Sequence, residues 1–428
     1  MKRYTDIITY ANYLSFLALL CAMPYGFPFI RFFGLVWVVT WVMELRFTRR
    51  ENLNLSKPRL YVAIGFTVWV LWNALSMSWA ADKSSAWAMV QRDLYMLAIP
   101  LVMLWGVNER YDWKQCVKVL TIGCVISVGV YLFTLYWLFN VPRAWEKHNA
   151  VNPNFHWWDI ECFLLQMKHR LHYTTLLCLA IAGILSLLIQ GLTTRKETVY
   201  YSLTLPFLIL AMYKTSSRTA LINLTLLLVI AALWWWTRRK QRSRWQKAVA
   251  MAVVVLVIAG SGLALFKLHP RNKGVTVEQL MTVEEGAARP TFEPRVAIWY
   301  AAFESPEDYS LYGLGVGNSY TYIWDKYVRH GWQAYTDYKY STHNQFIATW
   351  IELGALAAVL FMLFWLVMPF LFHGKERYWI ACVCAICFVN LSTDLFFGGV
   401  EGITFTIIAF VCLAALSRPT PAVMRPEP

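Results

Sequence analysis

Charge is what this sequence has least of. Only 15% of its 428 residues are Asp, Glu, Lys or Arg, where a soluble domain carries about 25%. The apolar share is 58% and mean hydropathy is +0.44. That balance excludes an ordinary soluble domain and points to a chain that crosses a membrane many times.

Acidic residues are scarcer than basic ones, 25 against 39, for a net charge of +14. A basic chain raises nucleic acid as a partner. The densest basic run, Arg238-Arg239-Lys240-Gln241-Arg242-Ser243-Arg244, follows Trp234, Trp235 and Trp236 at the end of an apolar stretch. In that setting it reads as a cytoplasmic membrane anchor, and no nucleic-acid partner is expected.

Cysteine outside the membrane is nearly missing. Cys21, Cys124, Cys178, Cys382, Cys384, Cys387 and Cys412 lie inside apolar runs, and Cys162 alone reads as external. No intramolecular disulfide is expected on that face. Cys382-x-Cys384-x-x-Cys387 has a metal-like spacing, but it lies in a membrane helix with no nearby histidine. Neither a metal nor a cofactor is expected. The first apolar run also lacks a small-residue cleavage site, so Lys2 and Arg3 suit an uncleaved start anchored inside.

What is abundant is apolar and aromatic. The chain has 22 Trp, 23 Tyr and 25 Phe, many near the ends of apolar runs, as interfacial belts require. Twelve runs are long enough to span a bilayer: 8–24, 29–45, 60–78, 93–107, 117–139, 171–190, 198–213, 219–236, 248–266, 345–372, 379–394 and 400–416. The predicted fold class is therefore an all-α polytopic membrane protein of about twelve transmembrane helices. With both termini inside, most Lys and Arg fall in inner loops, while the short outer connections hold only Arg31, Lys83, Arg92, Lys214 and Arg218. This asymmetry sets the orientation and places two long loops outside, 140–170 and 267–344.

The first outer loop is rich in His and Trp, with His148, His156, Trp157, Trp158 and His169, and His172 just beyond it. The second, before the third-last helix, is large enough for a subdomain. Short helices are predicted there over 295–304 and 320–329. The expected organisation is a membrane domain over 1–266, the loop subdomain over 267–344, three further membrane helices over 345–417, and a disordered cytoplasmic tail at 418–428.

The outer face collects the residues suited to chemistry. His343-Asn344 stands where the long loop re-enters an apolar run, nine residues before Gly354. Histidine titrates near neutrality and can take a proton from a hydroxyl. Arg218 lies in a short outer turn, and Arg295 follows Pro294 at a predicted helix start. Two permanently charged planar forks at one membrane face suit a diphosphate and the charge that develops as it leaves. Each residue also has a plain structural reading: Arg218 snorkelling to headgroups, Arg295 paired with Glu293, His343 as an interfacial side chain, and Gly313-Leu314-Gly315-Val316-Gly317 as turn chemistry. Glu352 should face protein or a water-filled cavity. On a continuous helix it points away from His343 and cannot orient it. Asp394 and Glu401 flank a glycine-rich outer turn and read as packing or headgroup contacts.

Taken together, these residues resemble the O-antigen ligase / O-antigen polymerase superfamily of bacterial membrane glycosyltransferases. Ser217-Arg218-Thr219-Ala220-Leu221 resembles its Ser-Arg-x-x-Leu turn. Arg295-Val296-Ala297-Ile298-Trp299 and the following Gly313, Gly315 and Gly317 resemble its Arg-x-x-x-Trp helix and glycine turn. His343-Asn344 with Gly354 resembles the ligase signature, which usually closes with Gly, Thr or Tyr where this chain has Ala357.

The resemblance implies a GT-C-like fold in the bacterial inner membrane, with both termini cytoplasmic and the active site facing the periplasm. It implies metal-independent transfer of a glycan from undecaprenyl diphosphate to a lipid A core acceptor. His343 is then the candidate base, and Arg218 and Arg295 the diphosphate ligands. Asn344, Trp299, Gly313, Gly315, Gly317 and Gly354 are supporting residues, and membrane lipids are further partners. A polymerase with a second lipid-linked glycan as acceptor, and a protein O-oligosaccharyltransferase, stay open. So does a transporter of lipid-linked glycans, for which Glu352 speaks.

Overall fold

The computed structural model describes residues 2–48, 55–133, 170–215, 217–238, 245, 252, 255–256, 258–260, 294–309, 311–337 and 340–417. Every regular element among them is helical. The first eight longer helices are α1 (Lys2–Ala22), α2 (Phe27–Thr48), α3 (Lys57–Ser76), α4 (Lys83–Asp93), α5 (Ala98–Trp105), α6 (Trp113–Phe133), α7 (Arg170–Gln190) and α8 (Arg195–Lys214). They are followed by α9 (Arg218–Arg238), α10 (Pro294–Phe303), α11 (Ser319–Arg329), α12 (Gln333–Asp337), α13 (Gln345–Leu353), α14 (Ala355–Leu371), α15 (Gly374–Thr393) and α16 (Val400–Leu416).

Among the described residues, seven helical stretches are long and apolar enough to cross a membrane: Tyr4–Tyr25, Pro28–Arg46, Lys57–Ser76, Lys83–Trp105, Trp113–Phe133, Leu171–Gln190 and Arg218–Thr237. The apolar helices α14 and α16 are shorter. The chain is thus a multi-pass membrane protein. The predicted run 198–213 falls within α8, and 379–394 coincides with α15 up to Thr393; both helices carry more polar residues. The run 248–266 lies largely outside the described residues, as do 140–169 of the first outer loop, 267–293 of the second, and the tail 418–428.

The single span predicted over 345–372 is in fact two helices. α13 stops at Leu353 and α14 starts at Ala355, with Gly354 between them at φ 88° and ψ 168°. That backbone region is essentially glycine-only. The break brings the chain at Leu311 against the helix junction: a Cβ on Gly354 would lie 2.0 Å from the Leu311 carbonyl oxygen. The predicted loop helices 295–304 and 320–329 are found as α10 and α11.

One large apolar core holds the bundle. It runs from Phe16 on α1 through Phe66 on α3, Leu177 on α7 and Trp365 on α14 to Phe410 on α16. A second core belongs to the outer segment. Ala297, Ile298, Ala301 and Ala302 form one stripe of α10 and pack with Ile323 and Tyr327 of α11. Ile347 and Ile351, one turn apart on α13, join this core. Phe346, next to Ile347, belongs instead to the core of the bundle. α13 is therefore the seam between membrane bundle and outer segment.

The bundle is also tied by polar side chains. Asn223 Nδ2 on α9 donates to Asn390 Oδ1 on α15 at 3.0 Å, and Asn390 Nδ2 donates to Thr175 Oγ1 on α7 at 2.8 Å. Such bonds between apolar helices contribute roughly 0.6–2 kcal/mol each. One turn nearer the site, Thr219 Oγ1 donates to Thr393 Oγ1 at 3.3 Å. These rungs fix the start of α9 against the end of α15.

Candidate active site

His343, Asn344 and Gln345 all address one short stretch of chain, residues 392–397. His343 Nδ1 is 3.2 Å from Asp394 Oδ1. Asn344 Nδ2 donates to the Ser392 carbonyl at 3.1 Å. Gln345 Oε1 accepts from the Phe397 amide at 3.3 Å. Asn344 also caps α13, its Oδ1 accepting from the amides of Phe346 (2.9 Å) and Ile347 (3.1 Å). An asparagine suits this position because its side-chain oxygen satisfies amides that lack a helical acceptor. Its amide group remains free to reach across to α15.

His343 has φ 44°, the one positive φ among the described non-glycine residues. A left-handed histidine stores strain that the surrounding contacts must hold, a pattern that clusters at functional sites. The contacts are visible. Thr342 Oγ1 donates to the Asn344 carbonyl at 3.1 Å, and the Tyr340 ring meets the imidazole edge-on at 5.8 Å. His343 and Asp394 are both part-exposed, at 31% and 23%. With Asp394 accepting Nδ1–H, Nε2 carries the lone pair and can accept a proton.

The helix of Arg295 is tied to this region through Trp299. The two are four residues apart on α10 and so share a face. Trp299 Nε1 donates to the Thr342 carbonyl at 3.1 Å, one residue before His343. The helix of Arg218 is tied to the Asp394 end. Arg218 opens α9 next to Thr219, whose partner Thr393 adjoins Asp394. The helix that Arg218 opens is thus tied beside Asp394, and the helix that carries Arg295 is tied beside His343.

The glycine run is engaged through its backbone. Gly313, Gly315 and Gly317 have φ of 70°, 88° and 83°. The amides of Leu314 and Gly315 donate to the carbonyls of Ile351 and Glu352 at 2.8 and 2.9 Å, satisfying the last turn of α13. A Cβ on Gly315 would lie 2.5 Å from the Ala80 Cα. In this structure the run packs backbone on backbone. Gly354 belongs to the same splice.

Glu352 faces protein, as its position demanded. It is 7% exposed, and its Oε1 accepts from Ser319 Oγ at 2.5 Å and the Ser319 amide at 3.4 Å. It ties α13 to the start of α11 and takes no part in the His343 contact.

The residue that sequence reasoning missed is Asp394. It read as packing or headgroup contact. It lies 51 positions from His343, and no local pattern marks the pairing. An acidic residue at an outer helix end was the signal available.

An apolar groove of about 280 Å³ opens between α3 and α14, lined by Phe66, Trp69, Trp72, Leu353, Ala357 and Phe364 among others. Its wall residue Phe361 packs on Phe346, in the first turn of α13. Among the described residues no cluster of His, Cys, Asp and Glu has the makings of a metal site.

Residues 203–362 match the family model described as O-antigen ligase. Over this stretch the chain is similar to the O-antigen ligase family. The match contains Arg218, Arg295, Trp299, His343, Asn344 and Gly354, while Asp394 lies beyond it. A comparison with curated proteins finds no match.

Proposed function

We propose that the chain is an O-antigen ligase. It moves O-antigen polysaccharide from undecaprenyl diphosphate to a sugar of the lipid A core, on the periplasmic face of the bacterial inner membrane. The observation that carries this reading is the His343–Asp394 pair, with Thr219, next to Arg218, bonded to Thr393 and Trp299, one turn from Arg295, bonded to the Thr342 carbonyl.

In this mechanism an acceptor hydroxyl attacks the anomeric carbon of the lipid-linked glycan. His343 Nε2 takes the hydroxyl proton, and Asp394 holds Nδ1–H and stabilises the imidazolium that forms. The bond from the anomeric carbon to the diphosphate oxygen breaks, with inversion at carbon. Arg218 and Arg295 hold the diphosphate and take up its developing charge. The groove between α3 and α14 offers apolar walls for the prenyl chain. Much of the rate comes from holding donor and acceptor together.

The test is the lipopolysaccharide profile of a deletion strain, complemented with wild type or His343→Ala at matched membrane levels. A ligase gives core without O-antigen, accumulated undecaprenyl-linked glycan, and rescue by wild type alone. Core carrying a single repeat unit identifies a polymerase instead, and an unchanged ladder overturns both.

A further inference from the structure

The backbone of Asp394 is held by the end of α15, its amide donating to the Asn390 carbonyl at 2.9 Å, while its side chain leaves the helix. Asp394 is the residue after α15, with extended backbone at φ −160° and ψ 171°. Its carboxylate accepts from the Leu395 amide at 2.9 Å and meets His343 Nδ1. Through the Leu395 amide that carboxylate is joined to the following turn, Phe396–Gly398.

That turn is gripped at three consecutive residues. Gly402 presses on the Phe396 carbonyl so closely that a Cβ would lie 1.9 Å away. The Phe397 amide donates to Gln345 Oε1 at 3.3 Å. The Gly398 carbonyl accepts from Arg92 Nη1, at the end of α4. The rings of Phe396 and Phe397 are buried. Arg92 is itself confined, with Met89 Sδ against its Nη2 and with Asp93 and Glu352, both buried, within electrostatic reach. An arginine spent on a main-chain carbonyl and packed this way is an anchor.

We propose that Arg92 and Gln345 are positioning residues for the transfer reaction: they lock the Phe396–Gly398 turn and so hold the Asp394 carboxylate on His343 Nδ1. The proposal rests on the ligase reading above. It gives Gln345 a role distinct from its neighbours. His343 does the chemistry, Asn344 caps α13 and ties it to Ser392, and Gln345 fixes the far end of the same turn. It also links α4 to the site through one hydrogen bond.

The experiment uses the full-length protein in lipid nanodiscs, with an undecaprenyl-diphosphate-linked glycan as donor and O-antigen-free lipopolysaccharide as acceptor. Gln345→Leu and Arg92→Gln should each lower kcat roughly 10- to 100-fold, the scale of a misplaced catalytic group, with donor KM within about twofold of wild type. Gln345→Glu keeps an acceptor of the same reach and should restore most of kcat. Combined with Asp394→Asn, either loss should add little to that of Asp394→Asn alone, because the residues act through one group.

Folded Gln345→Leu and Arg92→Gln proteins with wild-type kcat overturn the proposal, as do losses that multiply with Asp394→Asn. If Arg92→Gln fails to fold, the Gln345→Leu and Gln345→Glu pair decides the outcome by itself. Wild-type protein that transfers nothing overturns the ligase reading. An active wild type with an indifferent Gln345→Leu overturns only the positioning role.

Discussion

Nδ1 of His343 lies 3.2 Å from Oδ1 of Asp394, joining the end of the outer segment to the end of α15. Neither residue is in regular helix. His343 sits at a positive φ just before α13, and Asp394 in extended backbone just after α15. Their meeting requires both helix ends to be fixed, and Asn344 does this by bonding the Ser392 carbonyl.

Replacing Asp394 by Asn keeps the size of the side chain but removes the carboxylate acceptor. The amide nitrogen can then donate to Nδ1 and leave the proton on Nε2, the wrong tautomer for a base. Asp394→Asn should slow transfer about 100-fold or more, and His343→Ala by roughly 10²–10⁴, on the scale of general base catalysis. Initial rates of glycan transfer at matched protein levels check both. A wild-type rate for Asp394→Asn would remove it from the reaction.

Arg295→Lys tests the fork against the point charge. Lysine keeps the charge but cannot present two parallel donors to a diphosphate. Transfer should fall by about tenfold, equivalent to about 1.4 kcal/mol of lost transition-state stabilisation. The measurement is kcat/KM for the lipid-linked donor. Normal kinetics would show that Arg295 serves the fold of α10 alone.

Asn344 carries two separable duties. Asn344→Asp retains the cap of α13 and loses the donor to Ser392, whereas Asn344→Ala loses both. The cap is worth about 1 kcal/mol. Asn344→Ala should therefore lower thermal stability more than Asn344→Asp, while both reduce activity. Melting curves in detergent alongside transfer rates separate the effects.

Gly354→Ala should be among the most damaging small changes in the chain. Its backbone conformation costs a non-glycine residue about 1–3 kcal/mol, and the added Cβ collides with the Leu311 carbonyl. Reduced membrane levels and a lower melting temperature are expected, read by immunoblot and by thermal shift. An unchanged level would mean that the splice between α13 and residues 311–315 relaxes freely.

A pH effect is expected at the start of α4. Hydrogen bonds from Ser85, side chain first and then backbone, with a further one from the Ser84 amide, hold the Asp82 carboxyl below the usual carboxylate range. A pKa depressed by folding stabilises the folded form fully above the unfolded value near ~3.9, and that contribution is lost as pH falls through the lower folded value. Asp82→Asn keeps the cap without the titration, so it should flatten the acid limb of the stability profile. An identical acid limb in Asp82→Asn would assign that limb to other carboxylates.

The sequence by itself determined the membrane class and where most of the described long helices lie, and it named candidates for the site. Apolar runs are local, and so are Arg218 after its short turn, Arg295 after Pro294, and His343-Asn344 at the loop end. The first loop helix was legible for the same reason, from Pro294 as a helix start. The tertiary structure decided what depends on contacts between distant segments. The run 345–372 reads as one helix because Gly354 in an apolar stretch does not announce a break, and only the approach of Leu311 requires it. The glycines of 313–317 show a need for unusual backbone, but that they meet Glu352 and Ala80 is a matter of packing. Asp394 is one acidic residue at a helix end, and its partner is 51 residues away. Pairing of that kind is set by how α13 and α15 are clamped together, which no local stretch of sequence encodes.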